Sequence, residues 1–401
     1  MSLDIRNEKG VPLDRQVFTW REFGGKPYSK LDDDAFTRVR VILMNGVESE
    51  AVRFSHACAR MSRELRIPLA RIRRIEHQQQ KLVNWLNPPD QSPLETTIGF
   101  EQTAIEVTAV VAQQEPDPYL AQMYRFGMLE DFDHLYRFAA LMDRLTGQDV
   151  NNILQSYTDV IPGRPTAEEH RAPEDDVRTP YDRRTASAIT KLNALTIVSA
   201  EHQVHDYYMN IGPTFSDQIA RQLYAEIVDV EQQHVTHYES LIDPDETWLE
   251  KWLLHEATEA YNYYSCVEYE QNAHIKKIWE RFLDYELGHV QHVARLLEAF
   301  ERRDPAEIID SKLPAPIAYV SHRDFVREVL RKEVDLTAIG PNFVPRGQER
   351  SDGASPLYRG QLNSEGSPSE NVAGGYIWTP GTELGRQPPM RGNRTTAATA
   401  H

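Results

Sequence analysis

Four glutamates, Glu201, Glu231, Glu256 and Glu286, follow one another at steps of 30, 25 and 30 residues. Two of them open an E-x-x-H step, Glu231–His234 and Glu286–His289. Residues i and i+3 share a helix face, so each step offers a carboxylate and an imidazole to the same place. Four Glu and two His form the ligand set of a carboxylate-bridged two-metal centre. The surrounding pattern supports that chemistry. Glu201 sits among Ile197, Val198, Val204 and Tyr208, and Glu286 among Phe282, Val293 and Leu296, at helical spacing. A carboxylate inside an apolar stripe is costly unless its charge is compensated. Two divalent cations supply that compensation. Carboxylate-rich ligation with one imidazole per metal suits Fe or Mn better than Zn. A single E-x-x-H arises by chance in a chain of this size; two of them, 55 residues apart and each preceded by a stripe Glu 30 residues upstream, do not.

These residues require helices to carry them. Apolar periodicity predicts helices at about 35–58, 62–86, 93–115 and 118–145, then at about 185–210, 216–242, 246–270 and 272–301. The breaks fall at NPPD, EPDP, IGPTFSD and LIDPDET. Asp in LDDD, and Ser216 or Asp217, are the expected N-caps. The expected fold class is all-α: a 1–34 arm, a helical module over 35–145, a 146–184 linker, a second four-helix module over 185–302, and an extended Pro/Gly/Ser-rich tail over 303–401 with one short helix at 321–334. Tyr358, Tyr376, Ile377 and Trp378 are candidate anchors by which the tail wraps a surface, including that of a second subunit in a homo-oligomer.

The two helical regions are related. A shift of 155 residues aligns 69–143 with 224–298 without a gap. Glu76 falls on Glu231, Glu101 on Glu256, Asp131 on Glu286 and His134 on His289. The chain therefore carries two copies of one helical unit. Gly46 stands opposite Glu201 and Gln79 opposite His234, so the first copy lacks two of six ligands and is expected to be mainly structural.

The order Glu, E-x-x-H, Glu, E-x-x-H resembles the ferritin-like di-iron carboxylate superfamily. The segment HEATEAY is similar to the rubrerythrin segment that carries two Glu three apart. The resemblance covers about 185–302, with a degenerate echo in 35–145. It implies two ferritin-like four-helix bundles in tandem, two Fe ions (Mn or mixed Mn/Fe as variants), and reaction with O2 or peroxide. It also implies that Glu256 bridges and that Glu259 is the extra carboxylate that can swing onto a metal, which makes Glu259 the candidate catalytic residue. The expected metal ligands are Glu201, Glu231, His234, Glu256, Glu286 and His289. Two features depart from the family pattern. Cys58 and Cys266 form no rubredoxin-type pairs, so electrons would come from a separate donor protein. The turn LIDPDET is also short where ferritin-like bundles have a long crossover. An alternative pairing across the 146–184 connector gives Glu101, Asp131, His134, Glu201, Glu231 and His234.

Other residues near these stripes carry weaker signals. His205 is expected to support the ligands from behind, and Tyr208, Tyr238 and Tyr263 to bond ligand carboxylates. Cys266 reads as a small buried hydrophobe. Over the 401 residues the net charge is −17, which argues against broad nucleic-acid binding. No apolar run reaches the roughly 18 residues of a membrane span. The polar start MSLDIRNEKG predicts no secretory signal, and a cytoplasmic location is the simplest expectation. The leading functional expectation is a di-iron oxidoreductase. The competitors are an oxygenase or oxidase of an organic substrate, a ferroxidase or iron-handling protein, and a scaffold held shut by metal.

Overall fold

A computed structural model of the chain describes residues 3–380 and is mostly helical. Eight long helices form four hairpins. These are α1 (Ala35–Met61) with α2 (Arg66–Asn84), α3 (Pro93–Gln114) with α4 (Pro118–Thr146), α6 (Ala188–Ile211) with α7 (Gln218–Glu239), and α8 (Trp248–Tyr269) with α9 (Ala273–Glu301). A four-residue α5 (Asn151–Leu154) lies in the connector. The helix starts follow from local chemistry. Asp34 accepts from Phe36 N at 2.7 Å, and Asp217 from Ala220 N at 2.9 Å. Ser92 with Glu95 and Thr247 with Glu250 form capping boxes at equivalent places of the two repeats.

The hairpins do not pair as the tandem order suggests. Helices α1, α3, α6 and α8 form an inner layer, with α1 packed on α3, α6 and α8, and α6 on α1, α3 and α8. One apolar core joins Ile98, Phe132 and Phe138 to Tyr208, Leu223 and Ile227, uniting α3/α4 with α6/α7. The other joins Leu69, Ile75 and Leu82 of α2 to Trp252, Tyr263, Trp279 and Phe282 of α8 and α9, and runs on into Val107 and Val110 of α3 and Leu195 and Ile197 of α6. Neither core is confined to 35–145 or to 185–302. Each core mixes helices of both repeats.

Two straps cross the outer helices in the same way. In the arm, Gly10 and Gly288 of α9 touch so closely that a Cβ on Gly10 would meet Gly288 N at 2.1 Å, and one on Gly288 would meet Val11 O at 2.0 Å. In the connector, a Cβ on Gly163 would meet Leu129 O at 2.5 Å on α4. Val11 N donates to Asp284 O at 2.7 Å, and Arg164 N to Leu129 O at 3.2 Å. Each strap then has a proline (Pro12, Pro165) and a 3-10 turn (Leu13–Arg15, Thr166–Glu168), and ends on a buried polar residue, Gln16 or Glu169. The repeat thus includes the straps, and the segment expected to be a linker packs on the helices through buried residues such as Arg164, Thr166, Glu169 and Arg171.

The described part of the tail packs on its own chain. It holds α10 (Arg323–Glu333), an antiparallel hairpin of β1 (Leu336–Ile339) and β2 (Asn342–Pro345), α11 (Ala354–Leu362) and α12 (Pro368–Ala373), where one helix was expected. Helix α12 docks on α4 and α7, with Ser369 N donating to Glu226 at 2.6 Å and Arg137 to Ser369 O at 3.0 Å. Trp378 Nε1 donates to Asn151 Oδ1 at 2.7 Å, Tyr136 OH to Tyr376 O at 2.9 Å, and Tyr358 OH to Asp229 Oδ2 at 3.1 Å, so three of the expected anchors hold this chain itself. The last part of the expected tail, 381–401, lies outside the described residues. No helix among the described residues is long and apolar enough to cross a membrane.

Candidate metal centre

The core of α3, α4, α6 and α7 encloses six buried ligand-type side chains. Helix α3 brings Glu101, α4 brings Asp131 and His134, α6 brings Glu201, and α7 brings Glu231 and His234. They form two groups, Glu101/Asp131/His134/Glu231 and Asp131/Glu201/Glu231/His234, in each of which the donor atoms lie within 4.8 Å of one another. Asp131 and Glu231 belong to both. Each carboxylate has two oxygens, so these two residues can serve both positions while Glu101 and Glu201 each serve one. His134 Nδ1 is 3.0 Å from Glu231 Oε1; His234 Nδ1 is 3.2 Å from Asp131 Oδ1 and 3.6 Å from Glu201 Oε2. The two imidazole rings face each other with centroids 5.9 Å apart.

Behind each imidazole stands a further carboxylate. His134 Nε2 lies 3.0 Å from Glu169 of the connector strap, and His234 Nε2 lies 2.9 Å from Glu130 of α4. A proton held on Nε2 by that partner leaves Nδ1 as the atom offered to a metal. Glu130 is anchored by Arg164 at 2.9 Å and by Arg171. Tyr208 OH donates to Glu101 and so fixes that carboxylate's rotamer.

The electrostatics express the crowding of like charges. Burial, with the Asp131 charge added, pushes Glu201 up to about 8. Burial likewise pushes Glu101 well above the usual carboxylate range. Burial also opposes the charged form of Glu231, yet hydrogen bonds from His134 and His234 hold it down to about 2. Burial acts on Glu130 in the same sense, but Arg171, His234 and Arg164 hold it well below its ordinary value. The donor set fits a metal pair on a separate observation. Apart from His234 Nδ1 beside them, both oxygens of Asp131 and both of Glu201 are buried without a hydrogen-bond partner. Such atoms lose their hydration with nothing in return unless a cation takes them.

The six ligands expected from the sequence are not brought together. Glu201, Glu231 and His234 lie in this centre. Glu256, Glu286 and His289 lie in the other core, where Glu76/Glu256/His289 and Glu48/Glu259/Glu286 form two further buried groups. The cause is the short turn between α7 and α8, which keeps α8/α9 beside α1 and α6 instead of folding it across α7. The alternative set across the connector is the one the structure assembles. The first repeat supplies Glu101, Asp131 and His134 to this group, so the candidate ligands are not confined to the second repeat. Glu259 lies with Glu48 and Glu286, away from the α3/α4/α6/α7 centre. His205 is half-buried beside Asp206 at 3.3 Å and supports no ligand. Tyr263 OH donates to Glu48, whereas Tyr238 OH is buried without a partner. Cys266 is buried 3.8 Å from Tyr319 OH.

Sequence reasoning missed Glu130, Glu169, Gln16 and Glu48. Glu130 had a signal, an acidic pair inside the apolar run GMLEDFDHLY. Glu169 and Gln16 had a fainter one, the shared pattern G-x-P-x-x-x-(E/Q) of the two straps. No family model, no curated protein and no solved structure matches this chain.

Proposed function

We propose that the α3/α4/α6/α7 centre holds a carboxylate-bridged pair of metal ions, iron first and manganese as the variant, and that the chain is an oxidoreductase acting on O2 or peroxide. The observation that carries the reading is the sharing of Asp131 and Glu231 between two buried donor groups, each completed by one histidine and one terminal glutamate. In chain order this is Glu, D-x-x-H, a long connector, Glu, E-x-x-H, which is the ferritin-like arrangement including its crossover. The family assignment itself rests on that likeness.

The side chains divide the work. Asp131 and Glu231, shared by both groups, would hold both ions, Glu101 and Glu201 would each hold one, and His134 and His234 would offer Nδ1. A bound, reduced metal pair supplies electrons to the oxidant. Glu130 and Glu169 hold the Nε2 protons and keep both rings in register. The apolar shell of Phe132, Phe138, Ile227 and Val204 excludes water. Glu259 is not at this centre, and Ala104 occupies the corresponding position after Glu101, so the argument from a swinging extra carboxylate does not apply here.

The test is oxidant consumption by anaerobically Fe2+-loaded protein after addition of O2 or H2O2. The reading expects faster consumption than by free Fe2+, loss of the excess rate in Asp131→Asn, and retention in His205→Ala. Equal rates for the loaded chain and free Fe2+ would overturn it.

A further inference from the structure

The core of α1, α2, α8 and α9 contains five buried carboxylates, Glu48, Glu76, Glu256, Glu259 and Glu286, and one histidine, His289. We propose that this cluster is a second metal site of different chemistry: a position with a nitrogen donor, formed by Glu76, Glu256 and His289, beside an all-oxygen position, formed by Glu48, Glu259 and Glu286, that selects a hard divalent cation of the Mn2+ class.

Three observations carry it. The first is geometric, since the donor atoms of each trio lie within 4.8 Å of one another. The second is the state of the oxygens. Both oxygens of Glu259, which is 1% exposed, and one each of Glu48, Glu76 and Glu256 have no hydrogen-bond partner. Outside the two acidic clusters, this fold pairs buried carboxylates with cations or hydroxyls. Glu130 meets Arg164 and Arg171, Asp133 meets Arg137 at 2.8 Å, Glu270 meets Arg40 at 2.9 Å, and Glu226 takes Ser367 and Ser369. Among the described residues no Lys or Arg forms an ion pair with any of the five. Buried carboxylates left without a counter-charge are strongly disfavoured in the ionised form.

The third observation is the pattern of replacement between the repeats. His234 becomes Gln79, whose Nε2 donates to Glu286 at 2.6 Å and to Glu48 at 3.1 Å, so it orients two carboxylates instead of ligating. Glu201 becomes Gly46, whose Cβ would meet Ser199 O at 2.8 Å where α1 crosses α6. The lost carboxylate returns from Glu48, and Ala104 becomes Glu259. The net change removes one imidazole and adds one carboxylate at a single position. Oxygen-only sites suit Mg2+, Ca2+ and Mn2+, while imidazole favours Fe and Zn. His289 keeps its nitrogen for the other position. Its Nδ1 lies 2.9 Å from Glu286 and 3.3 Å from Glu256, and its Nε2 donates to Gln16 of the arm at 2.7 Å.

The test titrates the full chain, stripped of metal by chelator, with Mn2+ and reads free Mn2+ by its aqueous EPR signal. Asp131→Asn disables the other centre without touching this one. The proposal expects Asp131→Asn to retain Mn2+ binding, and Glu259→Gln, alone or added to it, to remove about one Mn2+ per chain. On the wild-type chain, excess Ca2+ displaces about one Mn2+ and leaves the histidine-bearing positions filled. Asp131→Asn protein that is folded by circular dichroism yet binds no Mn2+, or unchanged stoichiometry in Glu259→Gln, would overturn the proposal. So would absence of Ca2+ displacement, a reading that needs no variant. Failure of the other centre gives a separate result, an Asp131→Asn titration identical to wild type.

Discussion

His134 and His234 turn Nδ1 toward the shared carboxylates and Nε2 toward Glu169 and Glu130. If those partners fix the rings, Glu169→Gln and Glu130→Gln each weaken metal binding by about 10–100-fold in competition with a chelating dye, with the fold intact. Unchanged affinity would assign them a structural role only. The carboxylates also set a pH dependence. Glu201 sits at about 8 and Glu169 at about 7, against an ordinary 4.5, so the metal-free native state binds protons that the unfolded chain releases between those values. Stability of the stripped protein therefore falls as pH rises from about 5 to 8. Glu231, held at about 2, contributes stability that is lost only as pH drops below about 4.5. Thermal unfolding should show a lower Tm at pH 8 than at pH 5 without metal and a lessened or reversed trend with Mn2+, because metal replaces the protons. A stripped protein more stable at pH 8 would contradict the burial argument. Glu201, Glu231 and His234 were legible as buried, ligand-type residues because helical periodicity alone puts them in an apolar stripe. Glu130 and Glu169 were not, because their role depends on which imidazole the tertiary fold sets opposite them.

The long helices were legible almost to their ends, since Pro, Asx caps and the two capping boxes are local signals. The straps were not. Their shared pattern is short, and its offset, from Gly10 to Gly163, differs by two residues from the 155 that relates the helices. Their burial depends on glycine at a close crossing. Gly288→Ala would place a methyl 2.0 Å from Val11 O, so the arm must lift from α9. The expected cost is about 1–3 kcal/mol in denaturant unfolding, with faster proteolysis before residue 35. No change in either would show that the arm does not brace His289. The tail looked extended because it is rich in Gly, Pro and Ser. It folds because Glu226, Arg137 and Asn151 on the helices supply the partners for Ser369 and Trp378.

At the scale of the molecule, the repeats exchange hairpins around the buried acidic groups: those of α3/α4 meet those of α6/α7 across the long connector, and those of α8/α9 meet those of α1/α2. Periodicity finds the hairpins but not their partners, since each stripe is equally apolar toward any neighbour. The one sequence signal was the shortness of LIDPDET, which excludes a crossover after α7. A fragment of 185–302 should then lack half of both cores. It is expected to show helical far-ultraviolet dichroism without a cooperative unfolding transition; a cooperatively folded fragment would contradict the exchange. The most direct test of the central claim is the iron content of the full chain reconstituted anaerobically, with Asp131→Ala beside it. Asp131 belongs to the exchanged ligand set and not to the contiguous one. The account predicts that the variant loses about two Fe per chain relative to wild type. Equal iron in the two proteins, or no iron in either, would contradict it.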